Sequence, residues 1–155
     1  MKTEIFFNFN KTQIAMIKKT RFWMIHCISL GLTELIDFAY RIKNIGGFIS
    51  NNKYPCDFLC IFLRFVELKP SINILKNFLL DNHSTCLKIL ALLYIRIFFS
   101  KENILNFYKP FNNGKQIIMI KIGKNTIIPT TLKNIIKILI SKKHFYGFQL
   151  PPMRL

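Results

Sequence analysis

Three apolar segments that follow one another between Pro55 and Phe99 constrain the fold more than any other part of this sequence. The breaks between them, Leu68–Pro70 and Asp81–Ser84, are only a few residues long, so the segments cannot move far apart. Apolar helices that are joined so closely bury their faces against each other as antiparallel hairpins. We therefore predict an all-α single domain of packed helical hairpins, with this region at its centre.

Prolines and a serine predict where the central helices begin and end. Proline is favoured in the first helical turn, so we expect Pro55 there, and Pro70 to stop that helix and open the next. Ser84 is the expected N-cap of the long third helix. The second and third helices are predicted over residues 71–80 and 85–99. The residues of the first segment that we treat as a structural motif of the core are Phe58, Leu59 and Cys60.

An amphipathic helix is predicted upstream, beginning after Gly31. Its apolar residues recur at helical spacing and form one stripe, which consists of Leu32, Leu35, Ile36, Ala39 and Ile42. We expect Gly46 and Gly47 to end this helix, because glycine adopts the left-handed cap without steric cost. All three glycines are interpreted as serving backbone geometry. A short helix over residues 13–22 and an apolar piece over 23–30 come earlier, and residues 1–12 are a lead-in whose order is left open.

The pattern changes after Pro110, where isoleucine-rich segments and turn residues replace the helical spacing. Residues 116–122 and 126–128 flank Gly123-Lys124-Asn125, which predicts a small β-hairpin near residues 116–128. We expect Pro129 to close the hairpin and a final helix, capped by Thr130 or Thr131, to run to Ser141. The other expectations here are a helix capped by Ser100 that ends near Pro110 and an extended segment over Leu150–Pro152.

The motifs of catalysis and of cofactor binding are missing from the sequence. Cys56, Cys60, His83 and Cys86 could supply a tetrahedral zinc site, but thiols inside apolar helices are more typical of core filler. The histidines stand in no nucleophile or zinc-protease motif, and seven acids spread over 155 residues offer no obvious pair for acid–base work. We therefore predict no enzyme activity, no metal, no cofactor and no small-molecule substrate.

The formal net charge of +16, from 23 basic and 7 acidic residues, favours anionic partners such as nucleic acid or a lipid surface. Lysine outnumbers arginine 18 to 5, however, whereas phosphate-binding surfaces favour the forked guanidinium. An A/T-rich genome would also enrich lysine, asparagine, isoleucine and phenylalanine together. The charge therefore leaves two explanations open, a binding surface and genome composition.

Membrane insertion is not predicted, because charged residues interrupt each apolar run before it reaches roughly 20 residues. The start of the chain also lacks the apolar core of a signal peptide. The four cysteines lie inside apolar segments, which predicts buried, reduced thiols and a reducing compartment.

Basic clusters supply candidate contacts for a protein partner or for RNA, namely Lys18, Lys19, Arg21, Lys115, Lys142 and Lys143. The last two precede His144-Phe145-Tyr146, and aromatic rings among cations can stack on bases. Solvated helix ends are the more frequent explanation of such clusters. Tyr94 and Arg96 are further candidates, for which core packing with a snorkelling cation is the alternative.

Taken in order, these landmarks resemble the pre-mRNA-splicing factor 38 family. The resemblance covers roughly residues 13–155 and depends on the order of several short segments rather than on one decisive motif. The segments that carry it are Thr20-Arg21, Gly31–Thr33, Gly46-Gly47, Pro55–Leu63, Leu68–Pro70, Ile89–Arg96, Asn112–Lys115 and Leu150–Pro152. This chain departs from the family at Ala91, where glycine is usual, and in its scarcity of acidic residues.

The resemblance implies a non-catalytic helical scaffold in the nucleus that joins the spliceosome with the tri-snRNP and is needed for its activation. The implied partners are helical segments of small splicing proteins, one of which carries a zinc finger, close to the large central spliceosomal protein. Proximity to snRNA is left open, and no membrane partner is implied. The alternative function is that of a basic RNA-binding protein, such as a small ribosomal component.

Overall fold

The computed structural model describes residues 9–155, so most of the predicted lead-in, residues 1–8, lies outside the described part. The helical elements are α1 (Lys11–Lys18), a π-helix (Trp23–Cys27), α2 (Leu32–Arg41), α3 (Asp57–Glu67), α4 (Ile72–Leu79), α5 (Thr85–Phe98), α6 (Lys101–Tyr108), a 3₁₀ turn (Lys109–Phe111) and α7 (Leu132–Ser141). The strands form antiparallel pairs, β1 (Phe48–Ile49) with β2 (Tyr54–Pro55), β3 (Ile117–Gly123) with β4 (Thr126–Thr131), and β5 (His144–Phe145) with β6 (Phe148–Gln149). The predicted all-α fold with a hairpin near residues 116–128 is confirmed.

Helices α3 and α5 form the centre of the core. In α5 every residue from Cys86 to Ile97 is buried except Tyr94, and α3 buries an unbroken run from Phe58 to Leu63. Helices α2, α3, α4, α6 and α7 all contact α5. Burial of each large aliphatic side chain contributes roughly 1.5–3 kcal/mol, so a helix apolar around most of its circumference stabilises the whole assembly. The predicted packing centre between Pro55 and Phe99 is the observed one.

Hydroxyl caps fix the starts of four helices. The N-cap residues of these helices each accept a hydrogen bond from the backbone N–H three residues later, at distances of 3.1–3.4 Å. They are Ser71, Ser84, Ser100 and Thr131. These bonds satisfy amides that have no partner inside the helix. The caps at Ser84 and Ser100 were predicted from the sequence, and Thr131 is one of the two residues, Thr130 or Thr131, predicted to cap the last helix. Pro70, however, precedes the Ser71 cap instead of opening α4.

The prediction that Gly46 and Gly47 end helix α2 is wrong. The helix stops at Arg41 with Ile42 already extended, and neither glycine has a positive φ angle. A Cβ atom at Gly46 would lie 2.8 Å from the carbonyl oxygen of Lys121, and one at Gly47 would overlap the backbone of Tyr146. The glycines therefore let their segment pack against two other pieces of backbone, which is a contact between distant residues that helix-end rules do not reveal.

Pro55 and Pro129 both lie in strands, contrary to prediction. Pro55 pairs with Phe48 in the β1–β2 hairpin, and α3 begins only after Cys56, which occupies the N-cap position without a side-chain cap hydrogen bond. Pro129 lies within β4 opposite Met119. The backbone of Ile45 bonds to the other edge of β3, so β4 is the outer strand and the nitrogen of Pro129 faces away from the ladder. An outer strand tolerates proline because no ladder hydrogen bond is lost.

The N-terminal helix and the C-terminal hairpin are joined through Gln13. Its side-chain nitrogen donates to the carbonyl oxygen of Gly147 at 2.8 Å, and its side-chain oxygen accepts from the backbone N–H of Gln149 at 2.9 Å. Helix α1 begins at Lys11, two residues before the predicted start, because the side chain of Asn10 caps it. Both ends of the described chain are thereby fixed to one side of the fold.

Candidate partner-binding surfaces

The thiols that could have made a metal site lie in separate surroundings. Cys56 Sγ faces the carbonyl oxygen of Lys121 at 3.9 Å, whereas Cys60 Sγ lies 3.3 Å from Thr20 Oγ1. Burial raises the pKa of Cys56 and Cys60 to about 11 and that of Cys86 to about 12. Across residues 9–155, no three or more His, Cys, Asp or Glu side chains are grouped so that they could hold a metal ion. Protonated thiols are poor metal ligands and poor nucleophiles.

An apolar groove opens between the C-terminal ends of α4 and α6. Its cavity of about 320 Å³ is lined by Lys76, Leu79, Leu80, Asn106, Phe107, Pro110 and Phe111. We call this set the α4–α6 groove. Leu80 is 73% exposed, although a leucine side chain contributes to the stability of the fold only when it is buried. An exposed groove with apolar walls is a feature of protein-binding sites.

One lysine lines the α4–α6 groove, and two others lie nearby. Lys76 forms part of its wall, and Lys109 is an exposed residue of the 3₁₀ turn beside it. Behind the wall, the Lys88 ammonium lies 5.6 Å from the centre of the Phe111 ring and donates to the side-chain oxygen of Gln116 at 3.3 Å. Lys88 is 7% exposed, and burial lowers its pKa. The groove therefore combines apolar walls with the charge of Lys76, while Asp81, which follows Leu80, acts on Lys88 and favours its charged form.

The outer face of the β3–β4 hairpin is a second exposed apolar surface. The register of the two strands places Ile117, Met119 and Ile127 on the same face of the pair. All three side chains are exposed. The opposite face packs Ile118 and Ile120 into the core, where both are fully buried. This alternation is typical of a sheet with one face on the core.

The predicted basic residues are spread over the surface and form no single patch. Lys18 pairs with Glu67 at 3.7 Å, whereas Lys19 and Arg21 are exposed near the π-helix. The remaining predicted cations line two separate clefts, Lys115 with Lys133 in one of about 440 Å³, and Lys142 with Lys143 beside Pro151 and Pro152 in another of about 410 Å³. Their role as contacts stays a prediction.

The two candidates on the central helix differ in accessibility. Tyr94 is half-buried and packs its ring against Phe65 and Phe98. Arg96 is only 5% exposed, which agrees with the core-packing alternative, but its charged head does not snorkel to solvent. Its guanidinium instead donates to two backbone carbonyl oxygens, those of Leu139 and Pro151. Arg96 is a structural residue of the core.

The groove residues were missed by sequence reasoning. Helical spacing places Leu79 and Leu80 at the end of α4 and Phe107 on α6, but it gives no information on which helix ends meet. The available indication was Leu80 itself, an apolar residue beside the polar break Asp81–Ser84. The structural motif Phe58, Leu59 and Cys60, in contrast, is buried as expected.

These features define a class of protein, a helical domain packed around one central helix, with small hairpins and exposed apolar surface. Within residues 9–155, none of the helices is both long and apolar enough to span a membrane. The sequence model of the PRP38 family matches residues 2–155, and the chain belongs to that family.

Curated relatives and a solved structure extend this comparison. The chain is 22% identical over 133 residues to pre-mRNA-splicing factor 38 of Arabidopsis thaliana, covering 86% of this chain and 38% of the relative. The corresponding protein of Schizosaccharomyces pombe is 23% identical over 133 residues, covering 86% of this chain and 62% of that protein. This chain therefore spans less than two thirds of either relative.

A similar fold occurs in the crystal structure of the Snu23-Prp38-MFAP1(217-258) complex of Chaetomium thermophilum. A chain of that complex superposes with a TM-score of 0.86 and 24% identity, covering 97% of this chain and 79% of the other. The superposition shows that the arrangement of helices and hairpins described above is shared.

Proposed function

We propose that this chain is a non-catalytic scaffold that acts in pre-mRNA splicing by binding other splicing proteins. The observation that carries the proposal is the match of the PRP38 family across residues 2–155. The relatives named above are pre-mRNA-splicing factors, and the solved structure with the same fold is a complex with Snu23 and MFAP1. This supports a role in which the domain holds segments of other splicing proteins.

The place of action that we propose is the nucleus, in the tri-snRNP or the precatalytic spliceosome, where the scaffold contributes to assembly and activation. The proposed partners are helical segments of small splicing proteins, close to the large central spliceosomal protein. The domain buries its thiols and exposes an apolar groove. The groove is suited to binding such segments, since a helix can lay its apolar face into a groove.

Affinity purification of the tagged chain from its own cells tests this function. We expect splicing proteins to co-purify and to remain bound at moderately high salt, because apolar contacts are only weakly affected by ionic screening. Recovery of ribosomal proteins without snRNP proteins would overturn the proposal. Tight binding to bare RNA that falls steeply with salt concentration would instead favour the RNA-binding alternative.

A further inference from the structure

The cleft that Lys142 and Lys143 line has Arg96 as a third cation in its wall. It lies between the end of α7 and the C-terminal segment, and its volume is about 410 Å³. Sites for small ligands usually enclose roughly 300–1,000 Å³, so one charged group and a neighbouring side chain can enter. We call it the α7 cleft. Its apolar wall residues are Ile140, Leu150, Pro151, Pro152 and Met153.

Arg96 offers the α7 cleft one nitrogen that has no partner in the described part of the chain. Its Nε and Nη1 donate to the carbonyl oxygens of Leu139 and Pro151, which leaves Nη2 without a hydrogen bond inside residues 9–155. Among these residues no buried side-chain nitrogen lacks a partner, so the small exposed part of Arg96 includes Nη2. Two bonds to backbone thus fix a guanidinium whose remaining donors suit the oxygens of an anion.

Acidic residues do not neutralise the cations of the α7 cleft. The sequence contains no Asp or Glu after Glu102, which is exposed in the first turn of α6 and does not line the cleft. The ion pairs of residues 9–155 both end on Glu67, and their cations are Lys18 and Arg64. The C-terminal end of α7 offsets only about half an elementary charge. Most of the positive charge therefore remains available to a ligand.

A phosphate monoester matches this charge better than a carboxylate does. It carries about −1.5 to −2 charges at neutral pH and three acceptor oxygens, which suits three cationic groups. RNA matches less well, because base stacking needs accessible aromatic rings. Of the residues that follow Lys143, His144 is exposed, but Phe145 is fully buried and the ring of Tyr146 packs against it at 5.0 Å. The structure therefore favours a single phosphate group over a nucleic-acid strand.

We propose that the α7 cleft binds a phosphorylated serine or threonine of a partner protein that has an apolar residue beside it. Arg96 Nη2 and the ammonium groups of Lys142 and Lys143 hold the phosphate oxygens. Exposed Ile140 and Pro152 contact the apolar neighbour. This inference rests on the proposed function and adds to it a contact that phosphorylation of the partner switches on.

NMR titration of the isotope-labelled full chain tests the chemistry of the site. The probe is a library of short peptides with phosphoserine at the central position, and the same library with serine or glutamate there is the comparison. We expect the guanidinium signal of Arg96 and the amide signals of Lys142 and Lys143 to shift, with binding about tenfold tighter or more than that of the serine library. Absence of shifts at these residues would overturn the site. Equal binding of the glutamate library, or tighter binding of single-stranded oligouridylate, would overturn the choice of a phosphate monoester.

Charge reversal tests the position of the site with the same phosphoserine library. We expect the double variant Lys142→Glu and Lys143→Glu to bind about tenfold more weakly or worse. Its matched control is Lys53→Glu with Lys124→Glu, which changes the net charge equally at exposed turn residues outside the cleft. Circular dichroism verifies that both variants are folded. Equal weakening in the two double variants would show a general effect of net charge and overturn the assignment.

The proposed function and the phosphate site fail in distinguishable ways. If splicing proteins co-purify with the tagged chain but the phosphoserine library does not bind the purified protein, the site is wrong and the splicing function stands. If the library binds as expected but no splicing protein co-purifies, the site stands and the splicing function is wrong.

Discussion

Arg96 Nε donates a hydrogen bond of 2.7 Å to the carbonyl oxygen of Leu139. Leu139 lies in the last turn of α7, where carbonyl groups have no partner inside the helix. A second bond of 2.8 Å runs from Arg96 Nη1 to the carbonyl oxygen of Pro151. One guanidinium on the central helix thus fixes both the end of α7 and the extended segment near the C-terminus. Arginine suits this position because its planar fork holds several donors in fixed geometry.

Replacing Arg96 by methionine is expected to lower the free energy of unfolding by about 3 kcal/mol or more, since hydrogen bonds to charged groups contribute about 1.5–3 kcal/mol each. The carbonyl oxygens of Leu139 and Pro151 would then be buried without these donors. Urea denaturation followed by circular dichroism measures the loss. Arg21→Met, at an exposed position, is the control, and a similar loss in both variants would contradict the structural role of Arg96.

Gly47→Ala is expected to destabilise the fold by about 2 kcal/mol or more, because the new Cβ atom overlaps the backbone of Tyr146 and overpacked sites cannot relax without backbone shifts. Gly123→Ala is the matched control, since its Cβ atom would lie 3.4 Å from Thr126 and fits with little adjustment. Thermal unfolding of both variants compares them. Equal melting temperatures would show that the segment around Gly47 is not held against the C-terminal hairpin.

The parts of the fold that follow from local pattern were predictable from the sequence. Helix α5 and its Ser84 cap depend on apolar spacing and on one hydroxyl within three residues, so both were found. The role of Gly47 was not, because it depends on a contact with Tyr146, far away in the sequence. Pro129 was misplaced for a similar reason, since an outer strand can be recognised only once its neighbours are known.

The candidate sites were less predictable than the fold. Lysine clusters are visible in the sequence, but whether they share a surface depends on how the helices pack, and the structure distributes them over separate clefts. Arg96 was considered as a partner contact or as a core residue with a snorkelling head, because charged residues are rarely buried. Its carbonyl partners, on α7 and on the C-terminal segment, could not be inferred from spacing on α5.

The buried thiol of Cys86 is expected to make stability depend on pH in the alkaline range. Burial raises its pKa from 9.0 to about 12, so the folded protein keeps the proton while the unfolded chain loses it. The contribution is complete below pH 9 and is lost as pH rises from about 9 to about 12. One such thiol removes about 1.4 kcal/mol of stability at pH 10.

Urea denaturation at pH 8 and pH 10 measures this effect in the wild type and in Cys86→Ala. The variant is less stable at both values because the substitution leaves a cavity, but its loss between them should be smaller by about 1.4 kcal/mol. The difference between the two pH values therefore isolates ionisation from packing. An equal loss in both proteins would contradict the protonated state of the thiol.

Pro129→Val is expected to promote self-association through the outer edge of β4. The substitution adds a backbone N–H that faces away from β3, and exposed Ile127 and Ile128 on the same strand supply apolar contact. An open apolar edge of this kind is a template for pairing with another chain. Sedimentation velocity at increasing concentration measures the effect, and Pro152→Val, at an exposed position outside the strands, is the control. A monomer at all concentrations for both variants would show that Pro129 does not protect this edge, whereas association of Pro129→Val alone would identify proline as the residue that keeps the hairpin from adding a further strand.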